Sequence, residues 1–282
     1  MGFATGRLRY ASGVKLSVIG TGKMGGAIVK GLLDNHILAA NNITGADASA
    51  DAQRAFLALA ADGQLGWANS AADAMTDADV ALISVKPQNM DEVLPQLAGA
   101  DSDTLFISIA AGITLARLSA ALGEHRPMFR VMPNTPLMVG EGVTACAGNR
   151  HVTAAHHEIL QKIFGVTGQV FTVSEPQLDA VTALSGSGPA FMACVADALA
   201  GAAVAEGLPP ELALPMTLQT MRGSATLLQQ SGMTPGELIT QVSSKGGTTV
   251  AGLSVLKNSD LAKVLAQTIH AAANRSRELA KA

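Results

Sequence analysis

KLSVIGTGKMG, residues Lys15 to Gly25, places a run of β-forming residues directly before a G-x-G-x-x-G string. A helical segment from Met24 to Asn35 follows it. A glycine-rich string carries meaning in this context and little outside it. Gly20 permits the tight turn, Gly22 lets backbone approach a pyrophosphate, and Gly25 lets helix pack closely on strand. The helix start then offers free N–H groups and a positive dipole end to phosphates. A chance glycine-rich turn is the alternative, and the position at the first β-α turn weighs against it.

Outward from this turn the first half alternates apolar runs with helix-like stretches. Asn42 to Asp47 (NITGAD) reads as a second strand before an Ala- and Leu-rich helix. Val80 to Val85 and Thr104 to Ala110 are nearly continuous apolar runs, as in strands buried on both faces of a parallel sheet. Phe129 to Met132, Val143 to Ala147 and Gln169 to Val173 are further strand candidates. Repeating β-α units predict an α/β fold with a doubly wound sheet.

Beyond Val173 the strand signals stop, and the pattern from Gln177 onward is helical, broken at SGSGP, GLPP, SGMTPG and SSKGG. Leu261, Val264, Leu265, Thr268 and Ala272 share one face of the last helix, with Ser259 as its expected N-cap. The expected organisation is an extension at 1–14, a dinucleotide-binding domain at 15–174, and an all-helical domain at 175–282.

Composition excludes several classes. Hydrophobic residues make up 48% and charged residues 15%, unlike a disordered chain. A net charge of -3 gives no global attraction for nucleic acid or an anionic membrane. One Trp and one Tyr are too few for a base-stacking platform. Continuous apolar runs fall far below the roughly 20 residues of a membrane-spanning helix. The first fourteen residues lack an apolar core and do not read as a secretory signal. Cys146 and Cys194 sit in no paired motif and are expected to be buried, reduced thiols of a cytoplasmic protein. His151, His156 and His157 beside Glu158 read as a solvated helix face, with no metal site expected.

Four further motifs carry candidate chemistry. Lys86-Pro87 follows the Val80–Val85 strand at the sheet edge where α/β folds bind ligands; the lysine either donates to a cofactor or is simply solvated. In Met132-Pro133-Asn134-Thr135-Pro136 two prolines favour extended backbone and allow a cis bond, for a loop over a nicotinamide or a purely structural one. Ser185-Gly186-Ser187-Gly188-Pro189 and Ser243-Ser244-Lys245-Gly246-Gly247-Thr248-Thr249 are each either an anion cradle or a helix junction. Asp47 closes the second strand about 20 residues past the glycine turn, where an acidic residue favours a free ribose 2′-hydroxyl.

GTGKMG, VKPQ, SIAAG, MPNTP, SGSGPAF and SSKGGTTVAGL, in this order from Lys15 to the C-terminus, resemble pyrroline-5-carboxylate reductases. Lys245 departs from the family, which usually has proline before the paired glycines. The resemblance implies a Rossmann domain followed by a helical dimerisation domain, with larger assemblies of typically five dimers. It implies NADPH as cofactor with NADH also usable. Its cofactor contacts fall on Ile19, Gly20, Thr21, Gly22, Lys23 and Met24, on Ser84, Val85, Lys86 and Pro87, and on Ala110 and Ala111. Its substrate contacts fall on Glu175, Gln241, Ser244, Gly247, Thr248 and Thr249, the last loop coming from the partner subunit.

The implied reaction reduces 1-pyrroline-5-carboxylate to proline. An iminium is already electrophilic, so orientation matters more than a dedicated acid. Thr249 is the hydroxyl expected to bond the ring nitrogen. Two rivals stand beside this reading. A β-hydroxyacid dehydrogenase needs a lysine on the helix after its Gly-rich turn, and MACVADALAGAAVAEG after SGSGPAF has none. A non-catalytic nucleotide sensor leaves the SGSGPAF and GGTT loops without a ligand.

Overall fold

In the computed structural model, which describes residues 13–60 and 63–280, the Lys15–Gly20 run becomes β1 (Leu16–Ile19), buried along its whole length. The expected extension lies outside the described residues up to residue 12. After β1 come α1 (Lys23–Asp34), β2 (Ile43–Ala46), α2 (Ala50–Leu57), β3 (Gly66–Trp67), α3 (Ala71–Ala74) and β4 (Val80–Ile83). The chain continues through α4 (Met90–Leu97), β5 (Leu105–Ser108), α5 (Leu115–Leu122), β6 (Met128–Pro133), β7 (Gly142–Gly148), α6 (Ala154–Phe164) and β8 (Gly168–Thr172).

The strands form one sheet of order β3-β2-β1-β4-β5-β6-β7-β8. The β2-β1-β4 crossing puts the first β-α turn at the point where strand order reverses, the place where ligands meet such sheets. Alternate residues feed two cores. Ile19, Ala81, Ile83 and Phe106 enter one, while Val18, Val80, Leu82, Leu105 and Ile107 enter the other. Burial on both faces is why these strands read as continuous apolar runs.

Several expectations are corrected here. β7 runs antiparallel to β6, all other neighbours being parallel. The Pro133–Gly140 reversal explains it: a 3₁₀ turn at Thr135–Val139 ends at Gly140 with φ +76°, too short for a crossover helix. That segment is therefore helical after Asn134 rather than extended, and no peptide bond among the described residues is cis. β3 has two residues, below what a periodic pattern can reveal. His156 is buried, not solvated: its backbone N–H and ring join Thr153 in a capping box that starts α6. Burial first, then the neighbouring His157, pulls its pKa below the usual histidine value, with Asp103 opposing. Cys146 is buried as expected, and burial pushes its thiol pKa up. Cys194 is exposed within the single chain.

From Glu175 the chain is helical, through α7 (Leu178–Val181), a π-helical turn at Thr182–Gly186 and α8 (Gly188–Ala205). The first compact unit extends to Gly186 and takes in the residues from Ala272; the second is Ser187–Ala271. The second unit holds α8, α9 (Pro210–Ser231), α10 (Pro235–Gln241), α11 (Thr248–Lys257) and most of α12 (Leu261–Leu279). Ser259 Oγ accepts from the Leu261 N–H at 3.3 Å at the start of α12.

This second unit buries little of its own apolar surface. Its buried hydrophobics are Ala196, Ala200 and Ala213, while Met192, Leu199, Leu212, Met216 and Leu218 are exposed. Leu261, Val264 and Leu265, which share one face of the last helix, are exposed too. The helical run Glu175–Ala205 is, by length and composition alone, long and apolar enough to cross a membrane, an 18-residue stretch of it having mean hydropathy 1.5. Its uninterrupted apolar runs stay short, because Asp179, Ser185, Ser187 and Asp197 interrupt them. Helices that are apolar all round need covering, and obligate subunit interfaces look like a core cut in half.

Candidate active site

The glycine turn is built as its three glycines require. Gly20 has φ +91°, and a Cβ on it would lie 2.7 Å from the backbone nitrogen of Val85. A Cβ on Gly25 would lie 2.5 Å from both the Gly20 carbonyl oxygen and Ser84 Oγ, so α1 packs directly on the end of β4. Ser84 Oγ donates to the Gly20 carbonyl and locks the two together. Gly22 differs: a Cβ there would meet nothing within 4 Å. The open space over Gly22 adjoins the start of α1, which no side chain caps. Thr21 Oγ1 is the one buried side-chain oxygen or nitrogen among the described residues without a hydrogen-bond partner. Uncapped N–H groups, an orphan hydroxyl and clear space fit a dinucleotide pyrophosphate.

Asp47 sits at the end of β2, as the pattern predicts, and both its oxygens are in use. Oδ2 accepts from the Thr21 N–H at 2.8 Å and Oδ1 from the Ser49 N–H at 2.9 Å. It therefore ties the glycine turn to the start of α2. Ser84 and Val85 follow β4, with exposed Lys86 and Pro87 opening a short 3₁₀ turn. Ala110 and Ala111 follow β5 next to them in the sheet, Ala110 buried and Ala111 exposed. The turn, Asp47, Ser84 to Pro87 and Ala110–Ala111 thus all lie at the C-terminal edge of neighbouring parallel strands.

Glu175 belongs to the same unit. Its Oε1 accepts from the Leu115 N–H at 2.7 Å, at the start of α5, and lies 3.3 Å from Arg130 Nη1. Asn134, buried, donates from Nδ2 to the Ser185 carbonyl at 3.1 Å and accepts from the Val143 N–H at 2.8 Å. It joins the MPNTP segment to the π-helical turn, an irregularity frequent at functional sites. Sequence reasoning passed over Arg130; a charged residue inside the apolar strand run MFRVM was the available signal.

The second unit carries the remaining predicted contacts on one segment. Gln241 ends α10, and Thr248 and Thr249 open α11. Between them the Gly247 N–H donates to the Ser244 carbonyl at 2.9 Å, closing a turn with Lys245 and Gly246 at its centre. Gly246 has φ +72°, as the third residue of a type II turn requires. Lys245 fills the second position, which proline also suits, so the departure from the family pattern keeps the turn. A Cβ on Gly247 would lie 2.4 Å from Ser244 Oγ, which therefore hangs over the uncapped start of α11. The Ser244 hydroxyl and the uncapped N–H groups of the helix start meet there, a suitable receptor for a carboxylate. No group of three or more metal-ligating side chains occurs among the described residues.

Comparison with known proteins agrees with this layout. The family model described as pyrroline-5-carboxylate reductase dimerisation matches residues 175–279, and one for coenzyme F420-dependent NADP oxidoreductases matches 15–112. The chain is 37% identical over 268 residues to pyrroline-5-carboxylate reductase of Synechocystis, covering 95% of this chain and 99% of that one. Against the Pseudomonas aeruginosa enzyme of the same name, identity is 38%, over 95% and 97% of the two chains. A solved pyrroline-5-carboxylate reductase from Coxiella burnetii superposes with a TM-score of 0.90 at 32% identity, over 95% and 99% of the chains. The Plasmodium falciparum pyrroline carboxylate reductase, solved with NADP bound, gives 0.82 at 28%, over 95% and 98%. A Rossmann-type turn with its dinucleotide space, a helical half with an uncovered apolar surface, and 37–38% identity over 95% of its length place the chain in the pyrroline-5-carboxylate reductase family.

Proposed function

We propose that this chain reduces 1-pyrroline-5-carboxylate to L-proline with NADPH, as the last step of proline biosynthesis in the cytoplasm. The observation that carries this is the pairing, in one chain, of a dinucleotide turn with a hydroxyl-rich anion cradle at the start of α11. Bound reduced nicotinamide supplies the hydride. Ile19, Gly20, Thr21, Gly22, Lys23 and Met24 hold the pyrophosphate, with Ser84, Val85, Lys86, Pro87, Ala110 and Ala111 along the rest of the cofactor. Ser244 and the amide at Thr248 take the substrate carboxylate, with Gly247, Gln241 and Glu175 also in contact. The Thr249 hydroxyl bonds the ring nitrogen. The 241–249 segment is supplied across the dimer. The test is NADPH oxidation in the presence of 1-pyrroline-5-carboxylate, with NADP⁺ reduction by β-hydroxyacids as the contrast. NADPH oxidation by the cyclic imine without NADP⁺ reduction by a β-hydroxyacid is expected; the reverse, or no reaction with either, removes the reading.

Members of this family dimerise through the helical half, and the exposed Met216, Leu218 and Leu199 supply the surface for it. Larger assemblies of five dimers are part of the proposal. Sedimentation at micromolar concentration is expected to give a dimer or a multiple of it. A stable, active monomer would contradict both the interface and the shared site.

NADPH and NADH both serve, with Asp47 reducing the NADPH advantage through like-charge repulsion of a 2′-phosphate. Asp47→Ser is expected to shift the NADPH/NADH ratio of kcat/KM toward NADPH by on the order of tenfold. Because Asp47 also braces the Thr21 N–H, both cofactors weaken somewhat in the variant. An unchanged ratio means that Asp47 holds the turn and does not read the ribose.

A further inference from the structure

Arg130 is the buried cation of the first unit, only 8% exposed, in the middle of β6. In register it sits beside Ser108 of β5 and Ala147 of β7, both also buried. A guanidinium taken out of water needs an anion with good geometry, since an unpaired buried charge is strongly destabilising. Its hydrogen bond goes to Glu175 Oε1, the oxygen that also receives the Leu115 N–H. The Glu175 carboxylate is thus divided. Oε1 serves two protein donors, and Oε2 accepts no hydrogen bond among the described residues. Leu115 begins α5 four residues after Ala111, so the same oxygen braces the segment that carries the Ala110–Ala111 turn.

We propose that Arg130 is a positioning residue: it clamps Glu175 Oε1 against the start of α5 and so reserves Oε2 for the substrate, whose protonated ring is the cation a carboxylate attracts. This rests on the reading of Glu175 as a substrate contact. Free to rotate, the carboxylate would spread its two oxygens over the same donors and lose a fixed geometry toward the ring. Arginine suits the task because its planar fork holds one orientation, where a lysine ammonium acts as a point charge.

The experiment is a double-mutant cycle on the full-length oligomer, comparing Arg130→Met, Glu175→Gln and the pair. KM for 1-pyrroline-5-carboxylate, kcat, and the NADPH dissociation constant without substrate are measured for each. Arg130→Met is expected to raise the substrate KM at least tenfold and to leave the NADPH constant within about threefold. Arg130→Lys recovers part of the loss. In the Glu175→Gln background Arg130→Met adds less than twofold, because the carboxylate it positions is gone. A substrate KM within twofold of wild type in Arg130→Met, or effects of the two substitutions that multiply, overturns the proposal while Glu175 keeps its contact. An unchanged KM in Glu175→Gln overturns the Glu175 reading itself and the proposal with it. Should Arg130→Met not fold, Leu115→Pro decides. It removes the other donor to Oε1 at the first position of α5, where proline is tolerated, and Thr114 before it is already extended. A several-fold rise in substrate KM is then expected, and no change overturns the clamp.

Discussion

Thr249→Val lowers kcat/KM for 1-pyrroline-5-carboxylate by roughly 30- to 150-fold, while the NADPH dissociation constant stays close to that of the parent protein. The figure corresponds to about 2–3 kcal/mol for a hydrogen bond to a charged group. Valine keeps the β-branched shape and volume of threonine, so the start of α11 survives the change. The hydroxyl is not needed locally, because α11 has no side-chain cap and Gly247 already provides its extended N-cap. A structural role for Thr249 therefore predicts little loss, and a role at the ring nitrogen predicts a large one. Steady-state kinetics alongside cofactor titration separates them; near-parent turnover removes Thr249 from the chemistry.

Gly22 and Gly25 lie three residues apart and are expected to fail in opposite ways. Gly22 has φ -67°, which alanine adopts without strain, and a Cβ there meets no protein atom. Gly22→Ala should fold with an unchanged melting temperature and lose cofactor affinity, because the methyl occupies the space the pyrophosphate needs. Overpacking of about 1–3 kcal/mol corresponds to roughly 5- to 150-fold in the dissociation constant. Gly25→Ala places its methyl 2.5 Å from the Gly20 carbonyl oxygen, a backbone atom that cannot swing aside. It should lower the melting temperature as well as the affinity. Calorimetry and cofactor titration on both variants test the distinction. Loss of stability in Gly22→Ala with intact binding would reverse the roles assigned to the two positions.

Much of the first unit was legible because its strands are buried on both faces and its turn obeys a narrow backbone rule. Leu16 to Ile19 and Val80 to Ile83 could hardly be anything other than central strands. The antiparallel β7 was not legible: residues 133–142 look like a loop whether the chain goes on to a crossover or doubles back. The second unit was legible as helices but not as a surface. Val264 and Leu265 fall at helical spacing, which says that the face is apolar and not which molecule covers it. Arg130 was hidden for another reason. One charge inside an apolar run reads as an interruption until its partner, 45 residues away at Glu175, is seen beside it. His156 shows the reverse error, a polar residue in a polar segment that the fold nonetheless buries to start α6. In the candidate site the residues of each cradle were adjacent in sequence and could be named from it. The bracing contacts, Asp47 to Thr21 and Glu175 to Leu115, span 26 and 60 residues and depend on the sheet order.

Transfer of a labelled hydride tests the central claim most directly. The protein is incubated with 1-pyrroline-5-carboxylate and NADPH deuterated at C4 of the nicotinamide, each stereoisomer in turn, and the product is examined by mass spectrometry and NMR. The expected product is proline one mass unit heavier with one of the two stereoisomers, its deuterium on C5, the former imine carbon. Unlabelled proline from both stereoisomers, or no proline at all, would contradict a direct hydride transfer at this site.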